Sequence, residues 1–231
     1  MIKFHKIFLV IWCCLLVSLP VKAQEKYKGY MGFTPWPSDL TMEALENTYR
    51  FIIPNSNIIS HHFDNGVPWD EALNGKPFPK HLQEDWKMRM DRTPSTHKIL
   101  LSITPIDFER KDLAPAWGDD GDGQSLPWKW KFKGFSDPEV KTAFLNYALR
   151  AIKIFRPSFL AIGIESNILI THEPKEWDDY LELNAFVYNG IKKAHRHLPV
   201  FSTIQYEHLR GIETESKKNK DFQIPGVMQL M

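Results

Sequence analysis

Cysteine is almost missing from this chain of 231 residues: there are two, Cys13 and Cys14, and both fall within the first 23 positions. Without that stretch the protein has no thiol at all, which excludes a disulfide scaffold and any cysteine-based metal site, so stability has to come from a packed core. Net charge is nearly missing as well. Lysine and arginine together number 29 against 28 acidic residues, and loss of Lys3, Lys6 and Lys22 with the leader leaves 26 against 28. So even a balance argues against nucleic acid or an anionic membrane surface as the partner. The first strand-like run, residues 29–34, lacks the glycine-rich phosphate turn that a dinucleotide-binding fold requires. A membrane span is lacking too, because the apolar run from Ile7 to Leu19 covers about 13 residues where roughly 20 are needed.

That same run has another use. Lys3 and Lys6 precede it, and Val21, Lys22 and Ala23 follow it. Basic, apolar and small-residue segments in this order predict a secretory signal peptide over residues 1–23, cleaved after Ala23, and a secreted or periplasmic protein with no membrane attachment after cleavage. The residues before the cysteines (Val10, Ile11, Trp12) do not fit a lipoprotein signal.

What remains, residues 24–231, alternates strand-like apolar runs with helical or irregular segments, the pattern of parallel strands joined by crossover helices. Strands are expected at residues 29–34, 57–63, 98–104, 159–165 and 200–205. A first helix starts near Thr41, a fitting N-cap, with Met42, Leu45, Tyr49 and Phe51 or Ile52 along one face. Another is announced by Asp137 and Pro138 and runs to Pro157, and a further one spans about Trp177 to His195. Between the third strand and the Asp137 helix lie roughly thirty residues rich in Trp, Gly and Asp, a length expected of an active-site lid or binding loop. Five units at about 40-residue spacing favour an α/β fold of the (β/α)8 TIM-barrel type, with about five of its eight units present and the sheet edges left open. The chain thus reads as the N-terminal part of a longer barrel.

Chemistry in such a barrel sits where strands end. Glu165 closes the run from Leu160 to Ile164, where it is either a cap or a catalytic acid. His61 and His62 end the second strand with Asp64 close behind, and neighbouring residues alternate faces, so one histidine is expected to face the barrel mouth and the other to pack outward. Gln205 and Tyr206, at the end of the fifth strand, can reach a ligand hydroxyl or make ordinary strand-end hydrogen bonds. Seven tryptophans follow the leader (Trp36, Trp69, Trp86, Trp117, Trp128, Trp130, Trp177), most of them beside proline, glycine or charge, where loops and stacking platforms are expected. The stretch from Asp119 to Gly123 resembles a calcium loop without the glutamate such a loop needs, so a solvated acidic turn is the expectation and no metal is assigned.

The ending Gly163-Ile-Glu165, together with the Gly32-Phe33 first strand, the two histidines and the long third loop, resembles the clan of retaining (β/α)8 glycoside hydrolases that includes endo-galactanases and cellulase-like enzymes. The resemblance implies a carbohydrate substrate, no cofactor, and Glu165 as the acid/base residue, with Trp36, His61, His62, Asp64, Asn167, Gln205 and Tyr206 as substrate contacts. Ile164 stands where the clan has a sugar-contacting asparagine, a role Asn167 is placed to share. The clan's nucleophile, on a seventh strand, has no counterpart in the five units. Two other readings stay open: a non-catalytic carbohydrate-binding surface protein, and an unrelated barrel enzyme using His61 or His62 with a metal.

Overall fold

The computed structural model describes residues 29–210; the expected leader and its cleavage point after Ala23 lie outside them. From Met31 onward the chain builds a five-stranded, all-parallel sheet whose spatial order is the order of the sequence: β1 (Gly32–Phe33), β2 (Ile58–Phe63), β3 (Lys98–Ile103), β6 (Phe159–Ala161) and β7 (Val200–Phe201). A separate two-stranded hairpin, β4 (Ala116–Gly118) with β5 (Gly121–Gln124), interrupts the third connection. The helices are α1 (Met42–Asn55), α2 (Trp69–Asn74), α3 (Lys80–Arg92), α4 (Pro138–Phe155), α5 (Leu169–His172), α6 (Trp177–Ala194) and α7 (Tyr206–Arg210).

Local chemistry fixes the long helices much as expected. Thr41 caps α1 by accepting from the amide of Ala44 at 3.2 Å, and Asp137 caps α4 by accepting from Glu139 at 2.8 Å, with Pro138 in the first helical position. The buried face of α1 differs from the one anticipated. It consists of Ala44, Tyr49 and Ile52, while Met42 and Phe51 are exposed, because the helix docks on Ile59 of β2 through a short seam instead of a wide stripe.

In β2 the even and odd residues part company. Ile59, His61 and Phe63 are buried beneath helices, Ile59 against α1, Phe63 against Trp86 of α3, and His61 and Phe63 against Phe155 of α4. Ile58, Ser60 and His62 face the opposite side and are only half-buried. Of the five expected strands, β2 and β3 come within one residue of the expected length, while β1, β6 and β7 keep only two or three residues. In particular the run 159–165 leaves sheet geometry after Ala161, and β7 ends at Phe201.

The tryptophans require the largest correction. Trp69, Trp86, Trp117, Trp130 and Trp177 are all core residues, and among the described tryptophans only Trp36 and Trp128 are exposed. Much of the loop after β3 packs against the helices. Trp117 packs on Phe63, Trp69 stacks with Trp130, and Trp69 donates from Nε1 to the carbonyl of Ala114 at 2.9 Å. Polar neighbours in sequence therefore did not mark exposed rings. They flank rings that plug the space between helices. The acidic stretch at Asp119 and Asp120 forms the turn of the β4–β5 hairpin, with Gly121 and Gly123 at positive φ.

Candidate functional site

At the C-terminal ends of β2, β3 and β6 a row of side chains runs across the sheet. It starts at Trp36, which is 67% exposed and meets the His62 ring edge to face at 5.7 Å. His62 Nε2 lies 3.3 Å from Asp64 Oδ2. The next member is Arg110, whose Nη2 is 3.9 Å from the same Asp64 oxygen and donates to Glu165 Oε2 at 3.2 Å. Since both carboxylate oxygens lie on one guanidinium nitrogen, Asp64 and Glu165 form a neighbouring pair of acids joined by a cation. The hydrogen bond from His62, and then the nearby Arg110 charge, hold the Asp64 carboxyl below the ordinary aspartate range, against a burial effect that acts the other way.

Arg110 was not anticipated. It is 3% exposed, and its place is set by a tight turn after β3: Asp107 accepts the amides of Lys111 at 2.7 Å and Asp112 at 3.1 Å through Oδ1, while its carbonyl accepts from the Arg110 amide and from Nη1. The turn forces Arg110 to φ 58°. Nothing in the run Phe-Glu-Arg-Lys-Asp separates Arg110 from its charged neighbours. Only the bracket of Asp107 and Asp112 hints at a turn there.

Glu165 is placed by an equally constrained bend. Its amide donates to Thr203 Oγ1 at 3.1 Å, the amide of Ser166 donates to the Thr203 carbonyl, and the amide of Thr203 donates to the Gly163 carbonyl. Glu165 itself sits at φ 49° and ψ 36°. Gly163 is required here because a Cβ would run into the hydroxyl of buried Tyr180 and lie 2.9 Å from Ser202 Oγ.

The other expected contacts have different work. His61 is fully buried on the helix side, with Nε2 2.9 Å from Thr93 Oγ1, so it is no part of the row. Burial, followed by the charge of Arg89, pushes its ring down to about 3. Asn167 is buried and spends both ends of its amide on the main chain of Gln205, donating to the carbonyl at 3.1 Å and accepting from the amide at 2.8 Å. It fastens the segment that follows β7. Tyr206 opens α7 in the open, its Oη accepting from Arg210, and no contact among the described residues ties it or the Gln205 side chain to the row.

Trp36 also lines an open groove of about 670 Å³ between β1 and α1, with Phe33, Asp39, Asn47 and Phe51 on its walls. Among the described residues no group of three or more His, Cys, Asp or Glu side chains is placed to hold a metal ion, and no helix is long and apolar enough to cross a membrane. Comparison with protein-family models, with curated proteins and with solved structures finds no match to this chain.

Proposed function

We propose that this is a secreted saccharide-acting protein built on a (β/α)8 barrel of the glycoside hydrolase kind, with its carbohydrate lying along the row from Trp36 to Glu165. The observation that carries the reading is the row itself: an exposed aromatic ring, a histidine and two carboxylates joined by a buried arginine, all at the C-terminal strand ends where such barrels do their chemistry. A sugar ring stacks its C–H face on an indole and uses carboxylates and imidazole for its hydroxyls. Two features of the sheet support the barrel. The strand order runs with the chain and never reverses, so there is no switch point of the doubly wound kind. Parallel sheets are normally covered on both faces, and here α1, α3 and α4 pack on one face while Ser60, His62 and Leu100 on the other stay half-buried, as they would before closure around an interior.

In a retaining hydrolase Glu165 gives its proton to the leaving oxygen as the glycosidic bond breaks, then takes a proton from the water that releases the glycosyl intermediate. The family resembled draws the nucleophile from a seventh strand, and no residue of the five strands described is assigned that role.

The ion pair between Arg110 and Glu165 favours a second reading, a saccharide-binding protein without turnover. An ion pair uses the carboxylate form, whereas the first half of the hydrolytic reaction needs a proton on that group. Kinetics separates the two. Under the hydrolase reading Glu165→Gln slows cleavage of an unactivated polysaccharide by about 10² to 10⁴-fold, slows an aryl glycoside with a good leaving group far less, and is partly rescued by azide. Equal rates for variant and parent on the polysaccharide remove Glu165 from catalysis. Saccharide binding without turnover, in a protein that also supplies a strand-seven carboxylate, establishes the second reading.

A further inference from the structure

The segment after β5 carries two aromatic rings for which the core has no use. Trp128 and Phe132 are each 75% exposed, and their rings meet edge to face at 4.8 Å between centroids. Trp130, between them in sequence, points the other way: it is fully buried, stacks on Trp69 and donates from Nε1 to Asp70 Oδ1 at 3.0 Å. The turn is fastened at its sides too. Lys129 pairs with Glu139 at 3.2 Å, and Lys133 pairs with Asp137 at 2.8 Å and Glu139 at 2.9 Å. Rings held out on a fixed turn have little freedom to lose when a ligand settles on them, which favours binding.

The anchors also give the location. Asp70 lies in the first turn of α2, Asp137 caps α4, and Glu139 lies in the first turn of α4. Crossover helices begin at the end of the sheet where strands finish, so the two rings stand on the same rim as Trp36 and Glu165.

We propose that Trp128 and Phe132 form a second saccharide platform, holding a neutral polysaccharide chain on that rim at a distance from the row; the inference rests on the saccharide reading above. The charge balance selects this occupant. Lys129 and Lys133 are neutralised by Glu139 and Asp137, which leaves Lys131 as the one lysine of the turn without an ion pair among the described residues, too few for an anionic lipid surface or a nucleic acid, whereas the C–H face of a sugar needs only flat exposed rings.

Native electrophoresis of the purified chain through gels cast with and without a soluble galactan, xylan, mannan or hydroxyethyl cellulose tests it. The parent should be retarded by at least one of these. Trp128→Ala and Phe132→Ala should each bind about tenfold or more weakly with unchanged melting temperature. Equal retardation of parent and Trp128→Ala overturns the platform, as does the absence of retardation in every gel. Loss confined to Trp36→Ala also overturns it and assigns binding to the row. Co-sedimentation of the parent, but not of Trp128→Ala, with phosphatidylserine vesicles would make the rings a membrane contact and overturn the inference as well. Turnover of aryl glycosides is measured separately, so failure of the hydrolase reading is not mistaken for failure of the platform.

Discussion

Arg110 and Glu165 lie 55 residues apart in sequence, meet at 3.2 Å, and share left-handed backbone, at φ 58° and 49°. That conformation costs a non-glycine residue roughly 1–2 kcal/mol, so the fold accepts strain at both ends of one ion pair. The pairing of strain with charge at the strand ends is what sets this place apart from the many surface ion pairs along the helices.

Replacing Arg110 with methionine keeps most of the bulk but leaves Asp64 and Glu165 facing one another without the guanidinium between them. The expected loss is about 1–3 kcal/mol, visible as a lower melting temperature. Adding Glu165→Asn in the same chain should recover part of it, since asparagine tolerates the left-handed bend and removes one of the two charges. An Arg110→Met protein that melts with the parent would show that the cation contributes nothing to the fold.

His61 makes the protein acid-sensitive in a defined window. Thr93 donates its only hydroxyl hydrogen to the Arg89 carbonyl, so His61 Nε2 must be the donor in their contact, and the buried Nδ1 has no partner among the described residues. A second proton would land on that nitrogen, in an apolar pocket beside Phe155 and near Arg89. The folded ring titrates at about 3 and the unfolded one at 6.5. The unfolded state therefore binds more protons between these values, and stability is full above 6.5 and falls as the pH drops toward 3. The total loss is on the order of 5 kcal/mol. Chemical denaturation at pH 7 and pH 4 should show a steeper decline for the parent than for His61→Gln, and parallel declines would exclude His61 as the source.

Two tryptophans, two residues apart, should respond oppositely to truncation. Trp130→Ala empties a filled site and removes the bond to Asp70, at an expected cost of about 3–5 kcal/mol. Trp128→Ala should change stability by no more than about 0.5 kcal/mol. A comparable drop in melting temperature for both would contradict the burial described for the turn.

Gly163→Ala drives a methyl group into the hydroxyl of Tyr180. Overpacking of this kind costs about 1–3 kcal/mol, and Tyr180→Phe, which removes the obstructing oxygen, should return part of it. If the double variant is no more stable than Gly163→Ala alone, the clash lies elsewhere, with Ser202 the remaining neighbour.

The sequence announces local events well. Thr41, and Asp137 with Pro138, mark helix starts because a cap is a contact over two or three residues, and the alternation of β2 implies that one histidine of the pair is buried. It announces long-range events poorly. The apolar run 159–165 continues the strand pattern past Ala161, yet the backbone bends where Thr203, from the segment after β7, captures Glu165 and Ser166. Asn167 looks like a free polar group until the main chain of Gln205 arrives, and Arg110 becomes a buried cation only once Asp64 and Glu165 are brought to it. The tryptophans deceived for the same reason: whether a ring is a platform or a plug depends on what packs over it, and in the third connection that covering comes from helices far along the chain.

Because each strand of the sheet pairs with the one formed just before it, the small hairpin apart, this chain can be assembled in the order in which it is synthesised. A nascent polypeptide emerging N-terminus first can add one strand and its helix at a time, and each addition closes a single crossover, never a loop across the whole domain. Each strand after β1 finds its first partner already formed, so the wait for that first pairing is short, and only the outer edge of β1 stays open while the later strands are added.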